Sequence, residues 1–326
     1  MQQPELSRSM RVVSAATGLT RSVLRTVGKS TKSGGHCRRT FPVIYFLGLI
    51  NIRTQTQRHQ THMKLTAIVV PLFVAGVWSL FPQPASALGV CADPDYLPYS
   101  NRAGEGFENK IAAAVAKALG EKVEYTWASS RGHGGFPQFL SSTLDAKKCA
   151  VIMDIPYGSR EELTTRPYYI SSYVFVSSKS RNYRIASMDS PVLKQVKVGF
   201  ERDTPAEGAV KLRGLLPRSL AFDVGEEDGK SPAVMLDALK KGEIDVLITW
   251  QPAIGAFLRS YPGFDVVVVP NERTLGTPEQ FSFPMSMGVR TGDDGLKKRL
   301  DDVIGKHQSE LTSILTASGV KLFTPQ

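Results

Sequence analysis

The sequence predicts an α/β fold with largely parallel sheets, and three observations lead to this prediction. Of the 326 residues, 42% are apolar, which is enough to bury a sizeable core. From residue 88 onward, short runs of β-forming residues alternate with segments of helical apolar spacing. No repeat of 20 to 50 residues is present, which argues against a solenoid or a propeller. Alternation of this kind is typical of strand and helix layers packed together.

The first elements follow from local patterns. We predict strands at 88–94, 122–129 and 149–156, and helices at 106–120 and 136–148. In the first helix one face carries apolar residues four apart, and Gly120 closes the pattern. These residues are Phe107, Ile111, Val115 and Leu119.

The chain after residue 168 again alternates predicted strands with predicted helices. A β-rich segment at 168–180 leads into it, and its own strands are expected at 197–200, 219–224, 244–250 and 264–270. Helices are expected to begin at Thr204, at Ser231 and near Pro252. Thr204 and Glu207 have the spacing of a capping box. A strand at 283–290 and an amphipathic helical segment at 295–319, with a break, complete the chain.

The positive charge of the chain is confined to its first part. Ten lysines and arginines but one acid, Glu5, precede Met63, and Lys64 adds one more positive charge. The formal net charge of +10 therefore lies outside residues 88–326, which are neutral overall. A neutral body gives no electrostatic reason to expect nucleic acid as a partner.

Residues 63–87 have the layout of a secretory signal peptide. Lys64 precedes an apolar stretch, and prolines and small residues ending in Ala-Ser-Ala follow it, so we expect cleavage before Leu88. A membrane anchor is the alternative, because the apolar stretch reaches the lower limit for a span. Pro71 and the Ala-Ser-Ala ending favour cleavage.

A signal peptide belongs at the start of a protein. We therefore expect residues 1–62 to be an upstream over-translation without ordered structure. The mature protein would begin at Leu88 and reside in the periplasm with no stable membrane anchor.

Two cysteines fall in the expected mature chain, Cys91 and Cys149. An even number of cysteines in an exported chain favours a disulfide. If the first and third strands are neighbours, in a 2-1-3 strand order, the two residues would lie close enough to bond. Two buried free thiols are the alternative. Without a Cys-x-x-Cys pair, we expect no structural zinc or other metal.

Several segments resemble the type II periplasmic solute-binding proteins, over nearly all of 88–326. They are CADPDYLPYSN (91–101), GFENKIA (106–112), CAVIMDIPYG (149–158) and TTRPYYISSYVFV (164–176). Within that family, the chain is similar to the methanol-oxidation protein J group (MxaJ/XoxJ). This similarity rests on VCADPDYLPYSNRAGEGFENKIA, KKCAVIMDIPYG, LTTRPYYISSYVFVS and SFPMSMGVRTGD.

The resemblance implies a two-lobed binding-protein fold with two hinge strands. Lobe 1 would comprise 88–192 and 280–326, and lobe 2 would comprise 193–279. The implied role is a periplasmic accessory that binds and helps activate or mature a PQQ-dependent methanol dehydrogenase. The cytochrome c of that enzyme is a further candidate partner. The chain itself would hold no cofactor and would not be an enzyme.

On this fold the cleft between the lobes collects residues that follow the strands. We expect it to be rich in aromatic side chains and weakly charged, which suits a small neutral or apolar ligand, or a protein segment. Core packing is the alternative for each aromatic residue. The candidate cleft residues are Asp93, Tyr96, Tyr99, Asp154, Tyr157, Tyr168, Tyr169 and Trp250.

An ordinary transporter receptor for a small solute is the second hypothesis. Amino-acid receptors of this fold clamp the ligand carboxylate with an arginine, and Arg160 and Arg166 are the candidates here. The segment from Arg160 to Pro167 is shorter than usual in the family, which argues against an amino-acid ligand. An enzyme is the third hypothesis, with Asp154 as its acid-base group. The glycine-rich loop 131–135 is expected to be flexible surface, with a partner-facing loop as the alternative.

Overall fold

The structure is a computed structural model that describes residues 86–323, apart from residue 133, residues 225–228 and 275–276, and the side chains of residues 274 and 277. The predicted extension at 1–62 lies outside the described residues, as does almost all of the predicted signal peptide at 63–87. Within the described part of the chain, no helix is long and apolar enough to cross a membrane.

The described chain folds into one long, mixed sheet with helices packed against it. The sheet order is β4-β1-β5-β14-β7-β10-β8-β9, with β6 beside β14 and β11 beside β7. The strands are β1 (Ala87–Ala92), β2 (Asp95–Tyr96), β3 (Ser100–Asn101), β4 (Lys122–Trp127), β5 (Val151–Pro156), β6 (Leu163–Thr164), β7 (Tyr169–Ser178), β8 (Val198–Glu201), β9 (Ser219–Phe222), β10 (Val246–Trp250), β11 (Phe264–Val268), β12 (Glu272–Thr274), β13 (Thr277–Glu279) and β14 (Ser282–Val289). The helices are α1 (Phe107–Leu119), α2 (Gly135–Ser142), α3 (Pro205–Leu212), α4 (Ala233–Lys241), α5 (Gln251–Gly255) and α6 (Asp294–Ala317).

Strand β1 lies between β4 and β5 and runs parallel to both. The first half of the sheet therefore has the 2-1-3 order under which Cys91 and Cys149 were expected to lie close together. Cys91 of β1 and Cys149, two residues before β5, form a disulfide with their Cα atoms 5.5 Å apart. The predicted pairing is therefore confirmed.

The other half of the sheet has the same parallel character. Strand β8 lies between β9 and β10 and is parallel to both. Strand β7 connects the two halves: residues 169–172 pair with β14, whereas 173–178 pair with β10 and β11. One strand therefore contributes backbone hydrogen bonds to both halves of the sheet.

Helix α1 buries the face that the sequence predicts. Phe107, Ile111 and Val115 are fully buried in a core formed with strands β1, β5 and β14. Gly120 ends the helix in the left-handed conformation, with φ of 72°, which glycine adopts without steric cost. The long helix α6 packs on α1 and is broken at His307, in agreement with the predicted break.

Two local predictions were wrong, and a short hairpin was missed. The capping box at α3 does not form, because the Thr204 hydroxyl donates to the Glu201 carbonyl and Glu207 accepts from the amide of Asp203. Helix α2 ends at Ser142, six residues early, in a series of turns. The short hairpin of β12 and β13 was not predicted at all, because three-residue strands carry too little pattern.

Candidate functional site

A cavity of about 490 Å³ opens where the two halves of the sheet meet. Four strands of the parallel ladders, β1, β5, β8 and β10, end at its wall. The carboxyl ends of parallel strands are where α/β folds place their ligands. The volume lies within the usual range for small-molecule sites, so the cavity is the candidate functional site.

Asp154 enters the cavity from an irregular point in β5. Two β5 residues, Met153 and Asp154, lie opposite the single residue Met287 of β14, which makes a β-bulge. Asp154 has φ of 61°, in the left-handed region, where aspartate is tolerated better than most residues. Bulges and left-handed residues cost conformational energy and are concentrated near functional sites, where they redirect a side chain.

The Asp154 carboxylate accepts a hydrogen bond from the hydroxyl of Tyr169. Burial raises the pKa of Asp154 from 3.8 to about 7, although the Tyr169 hydrogen bond acts in the opposite direction. Asp154 therefore exchanges its proton near neutral pH, which is unusual for a carboxyl group.

Glu108, in the first turn of α1, is a second carboxylate in the cavity wall. Burial raises its pKa well above the usual value, and the charges of Asp154 and Asp93 raise it further. Its side chain makes no hydrogen bond or ion pair with the described residues. Glu108 is thus a partly buried acidic group at the cavity wall that has no hydrogen-bond partner among the described residues.

Aromatic rings form much of the remaining wall. Tyr96 and Tyr99 lie 4.7 Å apart between ring centroids, and Trp250 packs against Tyr173 at 5.5 Å and against Phe283 at 5.9 Å. Burial raises the pKa values of Tyr96, Tyr99 and Tyr173 above the usual value, so these phenols remain neutral.

Asp93 lines the cavity, but its carboxylate is fully engaged in local structure. It accepts hydrogen bonds from the amide of Asp95 and from the amide and hydroxyl of Ser130, and Arg131 Nε lies 3.7 Å away. We assign it to the framework that holds the loop after β1.

Arg131 corrects the expectation of a flexible surface loop. Its side chain is buried, its guanidinium lies 4.2 Å from the Tyr96 ring centroid, and it donates to the carbonyl oxygens of Asp95 and Lys230. Glycine-rich composition suggested mobility, whereas a buried, hydrogen-bonded arginine fixes this part of the loop.

Of the eight predicted cleft residues, five line the cavity: Asp93, Tyr96, Tyr99, Asp154 and Trp250. The other three do not. Tyr157 is 56% exposed and follows the end of β5 into solvent, and Tyr168 is buried in the core. Tyr169 reaches the site through its hydrogen bond to Asp154 rather than as part of the wall.

The structure corrects the expectation of a weakly charged cleft. Four carboxylates line the cavity, those of Asp93, Glu108, Asp154 and Glu201, and no lysine or arginine is among the described lining residues. Glu108 and Glu201 were missed because their neighbours in sequence look like an ordinary helix start and strand end. A signal existed for Glu108, since an acid two residues after the predicted helix start can face the same edge as the strand ends.

Comparison with known proteins shows which class of protein this chain resembles. No protein-family model matches the sequence. The chain is 30% identical to the periplasmic binding protein XoxJ of Methylobacterium extorquens AM1, covering 73% of this chain and 100% of that one, with a TM-score of 0.59. It is 29% identical to protein MoxJ of Methylorubrum extorquens, covering 72% of this chain and 81% of the relative.

A third comparison concerns the fold alone. MxaJ from Methlophaga aminisulfidivorans MPT has a TM-score of 0.63 at 22% identity, over 72% of this chain and 100% of that one. A sheet with two parallel halves, a shared strand and a cavity between the halves defines the two-lobed periplasmic binding protein fold. Together with the XoxJ identity, this shows that the chain belongs to the MxaJ/XoxJ group.

Proposed function

We propose that the protein is a periplasmic accessory that binds a PQQ-dependent methanol dehydrogenase and helps to activate or mature it. The observation that carries this proposal is the identity with XoxJ along the whole of that chain. The role is the one that membership of the MxaJ/XoxJ group implies. The cytochrome c of the dehydrogenase is a candidate second partner.

The same proposal includes export and domain boundaries. A signal peptide at 63–87 would direct the chain to the periplasm, and residues 1–62 would not belong to the mature protein. Lobe 1 would comprise 88–192 and 280–326, and lobe 2 would comprise 193–279. The pairing of β14 with β5 supports the assignment of the last segment to lobe 1.

A receptor for a small solute is the second candidate function, and the cavity of about 490 Å³ favours it. An amino-acid ligand is poorly supported. Arg160 and Arg166, the candidates for clamping a carboxylate, are both exposed, and neither is among the described lining residues. We propose binding rather than catalysis, because the relatives have a binding-protein fold.

The experiment is a measurement of association with the purified holo-dehydrogenase from the same periplasm. We expect the two proteins to elute together from a sizing column and to bind with a saturable signal in an interferometry assay. An unrelated periplasmic binding protein serves as the control. Elution of the two proteins apart at micromolar concentrations, with no saturable signal, would contradict the proposal.

A further inference from the structure

The charge of the cavity is its least expected property. Four carboxylates line it, and no lysine or arginine is among the described residues that do. Asp93 has partners from the loop that follows β4, but Glu108 has no hydrogen bond or ion pair within the described residues. A buried carboxylate without a partner is costly, and a cation offers the strongest compensation.

Aromatic rings surround these carboxylates. Tyr96, Tyr99, Tyr173, Trp250 and Phe283 all line the cavity, and the phenols among them stay neutral. The face of an aromatic ring attracts a cation, and the attraction is larger where water is excluded. Carboxylates and ring faces therefore favour the same kind of ligand.

The described residues of the wall offer no lysine or arginine to an anionic ligand. The Arg131 guanidinium lies beside Tyr96, but it is occupied by the carbonyl oxygens of Asp95 and Lys230 and by the Tyr96 ring. The N-terminus of α3 also lies at the wall, but the Thr204 hydroxyl is used by the Glu201 carbonyl and Glu201 places negative charge beside it. A carboxylate or phosphate ligand would therefore lack a charge partner among the described lining residues.

We propose that the cavity binds a small organic ammonium ion that carries no anionic group, with Glu108 and Asp154 as its charge partners and the aromatic rings as its walls. The bulge in β5 has a role in this arrangement, because it directs the Asp154 side chain to the cavity. The inference concerns the cavity alone and does not depend on the dehydrogenase, so the two proposals can fail separately.

Binding should release protons. Without a cation, burial raises the pKa of Asp154 to about 7, and burial together with the charges of Asp154 and Asp93 raises the pKa of Glu108 well above its usual value. Among the described residues, the other ionisable groups that face this pair are phenols and two further acids, with one guanidinium beside them. They are Asp93 after β1, Tyr96 of β2, Tyr99 directly before β3, Tyr125 of β4, Tyr168 and Tyr169 at β7, Glu201 of β8, and Arg131.

The test is calorimetric titration of the purified protein with three probes of similar size: n-butylammonium, n-butanol and butyrate. We expect butylammonium to bind at least tenfold more tightly than either of the others. Its affinity should increase from pH 6 to pH 8, by up to about tenfold per pH unit while one proton is released. A buffer-dependent heat would report that proton. Equal affinities for the three probes, or no binding of butylammonium, would overturn the proposal.

Two variants locate the site. Glu108→Gln and Asp154→Asn should each weaken butylammonium binding at least tenfold, and asparagine accepts the left-handed backbone at position 154. Glu124→Gln is the matched control, because Glu124 lies exposed on β4 outside the cavity wall, and it should bind like the parent. If Asp154→Asn does not fold, Glu108→Gln alone decides. Parent-like affinity in a folded Glu108→Gln variant would overturn the assignment.

Discussion

The guanidinium of Arg131 lies 4.2 Å from the ring centroid of Tyr96 and donates to the carbonyl oxygen of Lys230 at 3.1 Å. Tyr96 belongs to β2, which follows β1, whereas Lys230 lies in the connection between β9 and α4, beside the other half of the sheet. The Arg131 side chain therefore connects chain segments that belong to the two halves of the sheet. Arginine suits this position because its planar group stacks and donates in several directions at once.

We expect Arg131→Ala to lower the free energy of unfolding by about 3 kcal/mol, because charged hydrogen bonds and a stacked contact are lost together. Arg131→Lys should lose most of the same stability, because an ammonium group cannot stack on the Tyr96 ring and donate to both carbonyl oxygens at once. Urea unfolding measures both values. Arg102→Ala is the control, because Arg102 is exposed and only approaches the Trp127 ring at 5.5 Å. Equal stability of the Arg131 and Arg102 variants would contradict the account.

Arg213 holds the hairpin of β12 and β13 against the end of α3. Its side chain is 6% exposed and donates to both oxygens of Glu279 at 2.8 Å, and it also pairs with Asp189. Arg213→Met should lower the free energy of unfolding by about 3 to 5 kcal/mol, since it leaves Glu279 buried without this partner.

Lys298→Ala is the matched control for that variant. Lys298 pairs with Asp302 on the exposed face of α6, and its side chain is 78% exposed, so we expect almost no change in stability. Chemical denaturation of both variants makes the comparison. If Arg213→Met loses no more free energy of unfolding than Lys298→Ala, Arg213 does not stabilise the hairpin as proposed.

The Cys91–Cys149 disulfide closes a loop with a sequence separation of 58 residues. On the chain-entropy estimate, replacing both cysteines with serine should lower the free energy of unfolding by about 4 kcal/mol. Mass spectrometry after alkylation, with and without reductant, checks that the bond is present in the exported protein. Unchanged urea midpoints for the parent and the double variant would show that the bond does not stabilise this fold.

Asp154 should make stability depend on pH in a specific window. Its pKa is raised in the folded state to about 7, so folding favours the protonated form. The folded protein then holds more protons than the unfolded chain between about pH 4 and pH 7, and stability falls as the pH rises through this window. As the pH rises through this window, the free energy of unfolding of the folded Asp154→Asn variant should therefore increase relative to that of the parent, by up to about 1.4 kcal/mol per pH unit.

Tyr169→Phe supplies the second arm of this test. The Tyr169 hydrogen bond lowers the pKa of Asp154, so removing the hydroxyl should extend the window to higher pH. Urea unfolding between pH 5 and pH 8 gives the required curves. If the difference in free energy of unfolding between Asp154→Asn and the parent does not change with pH, a buried, titrating Asp154 is contradicted.

Much of the architecture could be predicted from sequence because its elements are long and periodic. The faces of α1, the neighbouring positions of β1 and β5, and the break in α6 all follow from apolar spacing and cysteine positions. Short pairings such as β12 with β13 could not be found, since they depend on contacts such as Arg213 with Glu279 that are distant in the sequence.

The candidate site was predictable only in part. Asp93 and Trp250, at the ends of predicted strands, lie at the cavity wall. The bulge that turns Asp154 toward the cavity and the burial of Arg131 result from tertiary packing, so no local sequence pattern predicts them. The charge of the cavity was misjudged for the same reason, because Glu108 and Glu201 come together only in the folded chain.

The central claim is that this protein acts on a PQQ-dependent methanol dehydrogenase. The most direct measurement is the turnover of that dehydrogenase during reconstitution of its apo-form with quinone and metal, with and without the purified protein at stoichiometric amounts. The account predicts a faster gain of activity, or a higher final turnover, that saturates near equimolar protein. Identical time courses and identical final turnover with and without the protein would contradict it.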